Sequence, residues 1–343
     1  MYETFFGLRA KPFQLNPDPD FFFGSRGHKR AMAYLEYGLH QGEGFIVITG
    51  EVGAGKTTLV RSLLRRIPSD TVSAAQIVST QVDADDLLRL VAAGFGIEHA
   101  GTDKSTLLGR LEDHFRALNA DGRRALLIVD EAQNLSPRAI EELRMLSNFQ
   151  VGTRSLVQSF LVGQPEFREI MQRPEMRQLK QRVIASYHLG PLDAAETQAY
   201  VEHRLHHVGW KDDPFLAPEA FDRIHHHTAG VPRRINTLCD RVLLATFLAE
   251  AHRIEGKDID EVAAELSDEL GGPELGGPQL GVAASASQDA ATIGWPGADD
   301  ASRLAQLEDR VALLEASTSM TYGMLKKVLR ALRAQRSVER DVS

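Results

Sequence analysis

The sequence predicts an α/β fold, a parallel sheet covered by helices on both faces and followed by an all-helical domain, on three observations. Between residues 45 and 165, short apolar or β-branched runs alternate with helical patterns. The first of these runs leads into a glycine-rich loop and then directly into a helix. From about residue 192 to 270 the strand signal fades and helix follows helix.

In chain order, the run Phe45 to Thr49 precedes a helix over Thr57 to Ile67, and Val72 to Val78 precedes one over Asp85 to Gly96. Ala125 to Val129, wholly apolar, precedes Ser136 to Phe149, and Leu156 to Val162 precedes a helical pattern from Pro165 onward. Strands alternating with helices are βαβ units, whose parallel sheet is buried on both faces. Ser136-Pro137 supplies an N-cap and a proline at the first helical position. Asp193-x-x-Glu196 has capping-box spacing ahead of a helix to about Val208. In the helical part, Ile235, Leu238, Val242 and Thr246 form a stripe along Val231 to Ala251. Cys239 lies in that stripe and reads as a buried thiol; as the one cysteine, it excludes an internal disulfide or a cysteine zinc site.

With 343 residues the chain has room for about two domains, and 43% hydrophobic with 25% charged residues excludes disorder throughout. No apolar run approaches the roughly 20 residues that span a bilayer, and the opening MYETFFGLRAKPF has no signal-peptide core, so a cytoplasmic address is expected. Residues 271 to 300 contain 7 Gly and 3 Pro and no Lys or Arg, the composition of a flexible linker. Its Trp295 is either a docking residue or simply exposed. Residues 304 to 335 can be written in heptads with seven of ten a and d positions apolar, which fits a coiled coil or a single amphipathic helix docked on a partner. The basic end, including Lys326, Lys327, Arg330 and Arg333, is a solvated face or a weak attachment to anionic lipid, nucleic acid or an acidic protein. The expected domains are a core over 1–191, a helical lid over 192–270, a linker over 271–301 and a helix or coiled coil over 302–343.

The chemistry concentrates in Gly50, Glu51, Val52, Gly53, Ala54, Gly55, Lys56, Thr57 and Thr58, which match G-x-x-x-x-G-K-[ST] between a strand and a helix. Phosphates must approach the main chain closely there, and glycines leave the amides free to point inward. The helix N-terminus adds partial positive charge. Lys56 is placed for the β and γ phosphates, and the Thr57 hydroxyl for Mg²⁺.

The apolar strand ALLIV ends at two adjacent carboxylates, at the sheet edge where α/β proteins bind ligands. Asp130 is expected to hold Mg²⁺ through water or Thr57, and Glu131 to polarise an attacking water, which favours hydrolysis over storage of a nucleotide. In GVPRR, Arg233 is positioned to reach from the lid to the γ-phosphate, ahead of its neighbour Arg234. Gln164, after the strand SLVQSFLV, is a candidate γ-phosphate sensor or an ordinary loop residue. Among Arg177, Lys180 and Arg182, Arg182 is the chosen candidate for an arginine finger given to a neighbouring subunit, with plain surface charge as the alternative. His225, His226 and His227 are consecutive, so on a helix they point about 100° apart and cannot converge on one ion. They read as a surface helix.

With these residues in view, the first 270 positions resemble the AAA+ P-loop ATPases, and among them the secretion ATPases of the ExeA/GspA type. The resemblance rests on MYETFFGLRAKPFQLNPDPDFFF, HQGEGFIVITGEVGAGKTTLVR, DEAQNL, GQPEF and GVPRRIN. The opening and YLEYGLHQGEGF look most like the subgroup associated with XrtA, the exosortase, and with PEP-CTERM protein sorting and exopolysaccharide. That resemblance implies an AAA+ core plus lid, ATP and Mg²⁺, homo-oligomer assembly, and work with an inner-membrane export or sorting machinery through the C-terminal helix. It also implies an adenine side near Phe22, Phe23 and His28. After the core the chain departs from the ExeA pattern, with its own linker and helix in place of a membrane span and a peptidoglycan-binding domain.

The leading expectation is an ATP-hydrolysing motor. Absence of a guanine-reading N-K-x-D segment favours ATP over GTP. A nucleotide-switched DNA regulator of the TniB/MuB kind is disfavoured by charge, since residues 1 to 270 carry 31 basic and 38 acidic side chains. A scaffold holding ATP without hydrolysing it is the third alternative.

Overall fold

A computed structural model describes residues 1–68, 70–78 and 83–269, all within one compact unit, Met1–Gln279. The linker, Trp295 and the C-terminal heptads and basic end lie outside the described residues. Five parallel strands form the central sheet: β1 (Phe45–Gly50), β2 (Val72–Val78), β3 (Arg124–Asp130), β4 (Val157–Gly163) and β5 (Val183–Leu189), in the order β2-β3-β4-β1-β5.

The period of two in each strand divides the core in two. Phe45, Val47, Leu127, Val129 and Leu161 face one side, under α3 (Ala84–Gly94), α4 (Lys104–Ala120) and α5 (Pro137–Leu146). Ile46, Ile48, Leu126, Ile128 and Phe160 face the other, under α1 (Arg26–Gln41) and α2 (Lys56–Arg66). Burial of each such side chain contributes roughly 1.5–3 kcal/mol before chain entropy is set against it. The central strands are therefore buried and mostly apolar, with Thr49, Gln158 and Ser159 as buried polar exceptions, which is why they were legible as short runs.

Beyond the sheet come α6 (Ala194–His207), α7 (Pro218–Thr228), α8 (Pro232–Leu248) and α9 (Gly256–Glu269). The predicted caps form: Ser136 accepts from the Ala139 N–H, and Asp193 and Glu196 make the reciprocal capping box. Cys239 is buried, and burial pushes its thiol well above the usual range. His225 and His227 are half-buried and tie the helical domain together: the His225 Nδ1 lies 3.0 Å from Thr197 Oγ1, and the His227 Nε2 lies 2.7 Å from Asp260 Oδ1. Only His226 of the three is exposed, so the triple histidine is mostly helix-to-helix contact rather than free surface.

The opening of the chain packs with the helical part. Tyr2, Phe6, Leu8, Phe13 and Phe21 share one apolar cluster with Tyr200, Leu238 and Val242, and the Tyr2 hydroxyl donates to Asp240 at 2.5 Å. The same segment also reaches α2, where Arg61 donates to the Pro17 carbonyl at 2.8 Å and Arg65 to Asp20. It thus straps the helical domain to the helix that follows the glycine-rich loop.

Candidate nucleotide site

Gly53 and Gly55, at φ +84 and +95, hold a backbone conformation that a side chain disfavours, and the turn they make leads into α2 with Lys56 as its first residue. The Lys56 Nζ donates to the Gly50 carbonyl at 2.6 Å and the Glu51 carbonyl at 2.9 Å, folded back over the loop. Burial depresses its pKa, while Glu131, Asp130, Glu51 and Glu166 oppose that shift. An anionic ligand would supply the countercharge this buried ammonium lacks.

The loop is held from behind. His28 is buried, its Nε2 3.1 Å from the Ala54 carbonyl and its Nδ1 2.7 Å from Ser25 Oγ. A carbonyl only accepts, so Nε2 carries the proton and Nδ1 accepts from the serine hydroxyl. Desolvation lowers the ring's pKa, which agrees with this neutral form. A Cβ on Gly55 would come within 2.8 Å of His28 Nε2, so the glycine is needed for the approach. His28 lines the cleft together with Phe22 and Phe23, yet both its nitrogens are spent on the protein.

Strand β3 delivers Asp130, buried, and the chain then turns sharply at Glu131, at φ 54. That turn sends the two adjacent carboxylates apart. Asp130 Oδ2 accepts from the Thr57 hydroxyl at 3.1 Å, and its Oδ1 from the Glu131 N–H at 3.0 Å. Glu131 Oε2 accepts from Gln133 Nε2 at 2.6 Å and from Gln164 Nε2 at 3.2 Å. Gln164 therefore meets the site through Glu131.

Thr57 and Asp130 offer one hydroxyl and one carboxylate, hard oxygens close together, a donor set that fits Mg²⁺ completed by water and phosphate. Burial raises the Asp130 pKa above the ordinary carboxylate value, with Glu131 adding to the shift and the Glu131 amide, Thr57 and Lys56 opposing it. A raised carboxylate pKa means that ionised Asp130 costs stability near neutrality, a cost that disappears as acid protonates it. The extra thermal stabilisation given by Mg²⁺ over nucleotide alone is therefore expected to be larger at neutral pH than at roughly pH 5, where protonation competes with the metal. Differential scanning fluorimetry at the two values checks this, and an equal or opposite ordering counts against Asp130 as a ligand.

From the helical side, the first turn of α8 is seated on the loop: the Arg233 N–H donates to the Gly53 carbonyl at 3.2 Å, and the exposed Arg233 side chain lines the cleft with Lys56, Thr57 and Glu131. The far wall carries Tyr200, Arg204 and Asn236. Buried Arg204 donates to the Pro12 carbonyl at 2.7 Å and to the Tyr200 hydroxyl at 2.7 Å, and that hydroxyl donates to Asn236 at 2.8 Å. These three residues clamp the opening segment over the cleft.

The strand-loop-helix arrangement, five-stranded order and buried carboxylate at the β3 edge agree with one comparison: residues 39–171 match the AAA domain family. The core has the fold of an AAA domain. In sequence, the chain is 40% identical over 271 residues to general secretion pathway protein A of Aeromonas hydrophila, a match covering 78% of this chain and 49% of that protein. The chain thus spans about half the length of that relative. In structure, it is similar to CDC6P of Pyrobaculum aerophilum, with TM-score 0.58, 16% identity, and coverage of 77% of this chain and 70% of that one. The Aeropyrum pernix ORC1 protein, solved in complex with DNA, gives TM-score 0.56 at 17% identity, covering 76% of this chain and 70% of that one. At such identities the likeness concerns the fold alone, and it bears out the predicted AAA+ core with its parallel sheet.

Arg182 is not part of this cleft. It immediately precedes β5, beside the start of β1 and at the opposite end of the strands from the loop, and its guanidinium donates to Ser147 Oγ at 2.7 Å and to Asn148. Arg177 and Lys180 are exposed on the short helix before it. Three participants escaped the sequence reading: Gln133, the Arg204 clamp, and His28 as support of the loop. Of these, only Gln133 had a local signal, its place two residues after Glu131.

Proposed function

We propose that this chain is a Mg²⁺-dependent ATPase that powers or regulates a membrane-associated secretion, protein-sorting or exopolysaccharide export system of the XrtA/PEP-CTERM type. One observation carries the catalytic part: Lys56 and Thr57 at the end of β1, Asp130 and Glu131 at the end of β3, and Arg233 from the lid converge on one cleft. Lys56 and the loop amides would bind the phosphates, Glu131 would orient and deprotonate the attacking water, and Arg233 would meet the γ-phosphate as the lid settles. Bound Mg²⁺ would offset charge on the β and γ phosphate oxygens. The secretion part is supported by the 40% identity to general secretion pathway protein A.

Arg182 stands at the amino-terminal end of the strands, opposite the loop, so any contribution it makes to hydrolysis goes to a neighbouring copy, and assembly of the chain into an oligomer belongs to the proposal. A place at the cytoplasmic side of the inner membrane, with residues 302–343 as the contact to the machinery, belongs to it as well. Among the described residues no helix is long and apolar enough to cross a membrane.

The test is ATP turnover measured against protein concentration, wild type beside Lys56→Ala, with anionic liposomes or with DNA. Specific activity that climbs with concentration, is stimulated by liposomes and is lost in the variant is the expected result. Turnover that survives Lys56→Ala would remove the assignment of this cleft, flat specific activity would remove the shared site, and stimulation by DNA alone would redirect the chain to a DNA regulator.

A further inference from the structure

Strands β3 and β4 end side by side at the phosphate edge of the sheet, and one side chain joins their ends. The Gln133 Nε2 donates to Glu131 Oε2 at 2.6 Å, while its Oε1 accepts the main-chain N–H of Gln164 at 3.0 Å. The amide is bound at both ends, which fixes its orientation: turned over, it would set oxygen against carboxylate and NH₂ against N–H. Gly163 leaves the room for this, since a Cβ there would stand 3.1 Å from Gln133 Oε1.

Glu131 Oε2 thus has two amide donors, from Gln133 and from Gln164. Its backbone sits at φ 54, a region that costs a side-chain-bearing residue about 1 kcal/mol or more and persists where neighbours hold it. A general base works only when its oxygen is aimed within hydrogen-bond reach of the water it deprotonates. The shorter of the two bonds holding this one comes from Gln133.

We propose that Gln133 is the positioning residue of the site: it aims the Glu131 carboxylate and joins it to the main chain of Gln164. The proposal rests on the hydrolytic reading of Glu131. It differs from a purely structural role in what an isosteric change does. In Gln133→Glu the acceptor for the Gln164 N–H is kept, but the donor facing Glu131 becomes a second carboxylate, which repels it.

The experiment compares Gln133→Ala and Gln133→Glu with wild type in kcat, KM for ATP, and equilibrium affinity for a fluorescent ATP analogue. Gln133→Ala should lower kcat about tenfold, with KM and affinity within about twofold, because the loss falls on base alignment and not on binding. Gln133→Glu should lower it further, because a second carboxylate turns Glu131 away. Unchanged or raised kcat in Gln133→Ala, or a Gln133→Glu protein more active than Gln133→Ala, overturns the proposal. A second measurement needs no turnover: in protein labelled with ¹⁵N-glutamine, the Gln133 side-chain amide resonances, assigned by their loss in Gln133→Ala, should move in Glu131→Ala. If they do not, the link is absent whatever the activity; if they do in a protein that never hydrolyses ATP, the link stands and the hydrolytic reading falls.

Discussion

Replacing Glu131 by Gln is expected to cut ATP turnover about 10²- to 10⁴-fold, the range that a positioned general base supplies, while nucleotide binding persists. The side chain keeps its size and its Oε1 can still accept from Gln133, so the fold around the β3 end is unchanged in outline. What disappears is the charge that would take the proton of the attacking water. Lys56, Thr57 and Asp130 are untouched, and Asp130 keeps its bonds from the Thr57 hydroxyl and the Glu131 N–H. Removal of one negative group beside Lys56 and Asp130 should, if anything, tighten the grip on a polyanion. The expected signature is thus a split, with kcat falling steeply and ATP affinity equal or stronger. Isothermal titration with ATP and a phosphate-release assay on the same preparation check it. Parallel loss of affinity and rate would place Glu131 in binding, and full activity would move the base elsewhere.

The loop and the two carboxylates were legible in the sequence because their physics is local. A phosphate cradle needs glycines at fixed spacing directly after a strand, and a fully buried strand that stops at Asp130-Glu131 announces the sheet edge. Other parts depend on partners far away in sequence. The clamp on the cleft joins Arg204 to Pro12, and nothing in the local pattern of either shows the contact. β5 escaped because it is an edge strand: half-buried, with Ser186 and His188 exposed, it lacks the apolar run that marked β1, β3 and β4. The aromatic opening, read as the adenine side, does line the cleft with Phe22 and Phe23, but most of its rings pack against the helical domain. Periodicity identifies a buried face and is silent about which domain covers it. Gln133 lies between the two cases: its place two residues after Glu131 is local, but its bond to the Gln164 N–H appears only when two strand ends are brought together.

Gly53→Ala should be the most damaging single-methyl change in the loop, and the reason lies in the lid. At φ +84 an alanine already costs about 1–2 kcal/mol of backbone strain. In addition its Cβ would fall 2.3 Å from the Cβ of Arg233, well inside contact distance. Neither atom is the loose end of a flexible chain, so relief requires the first turn of α8 to lift off the loop. That movement breaks the bond from the Arg233 N–H to the Gly53 carbonyl and carries the Arg233 guanidinium away from the cleft it shares with Lys56. Two losses follow together: roughly 2–4 kcal/mol of stability, from strain and overpacking, and turnover lowered at least about a hundredfold. Gly96→Ala is the control for backbone strain alone, since Gly96 has φ +73 but nothing within 4 Å of its would-be Cβ. It should lose about 1 kcal/mol and retain turnover. Urea unfolding and ATPase measurements on both proteins decide the point. A Gly53→Ala protein that matched Gly96→Ala in stability and activity would mean that the lid does not rest on the loop, and that Arg233 reaches the site by another route.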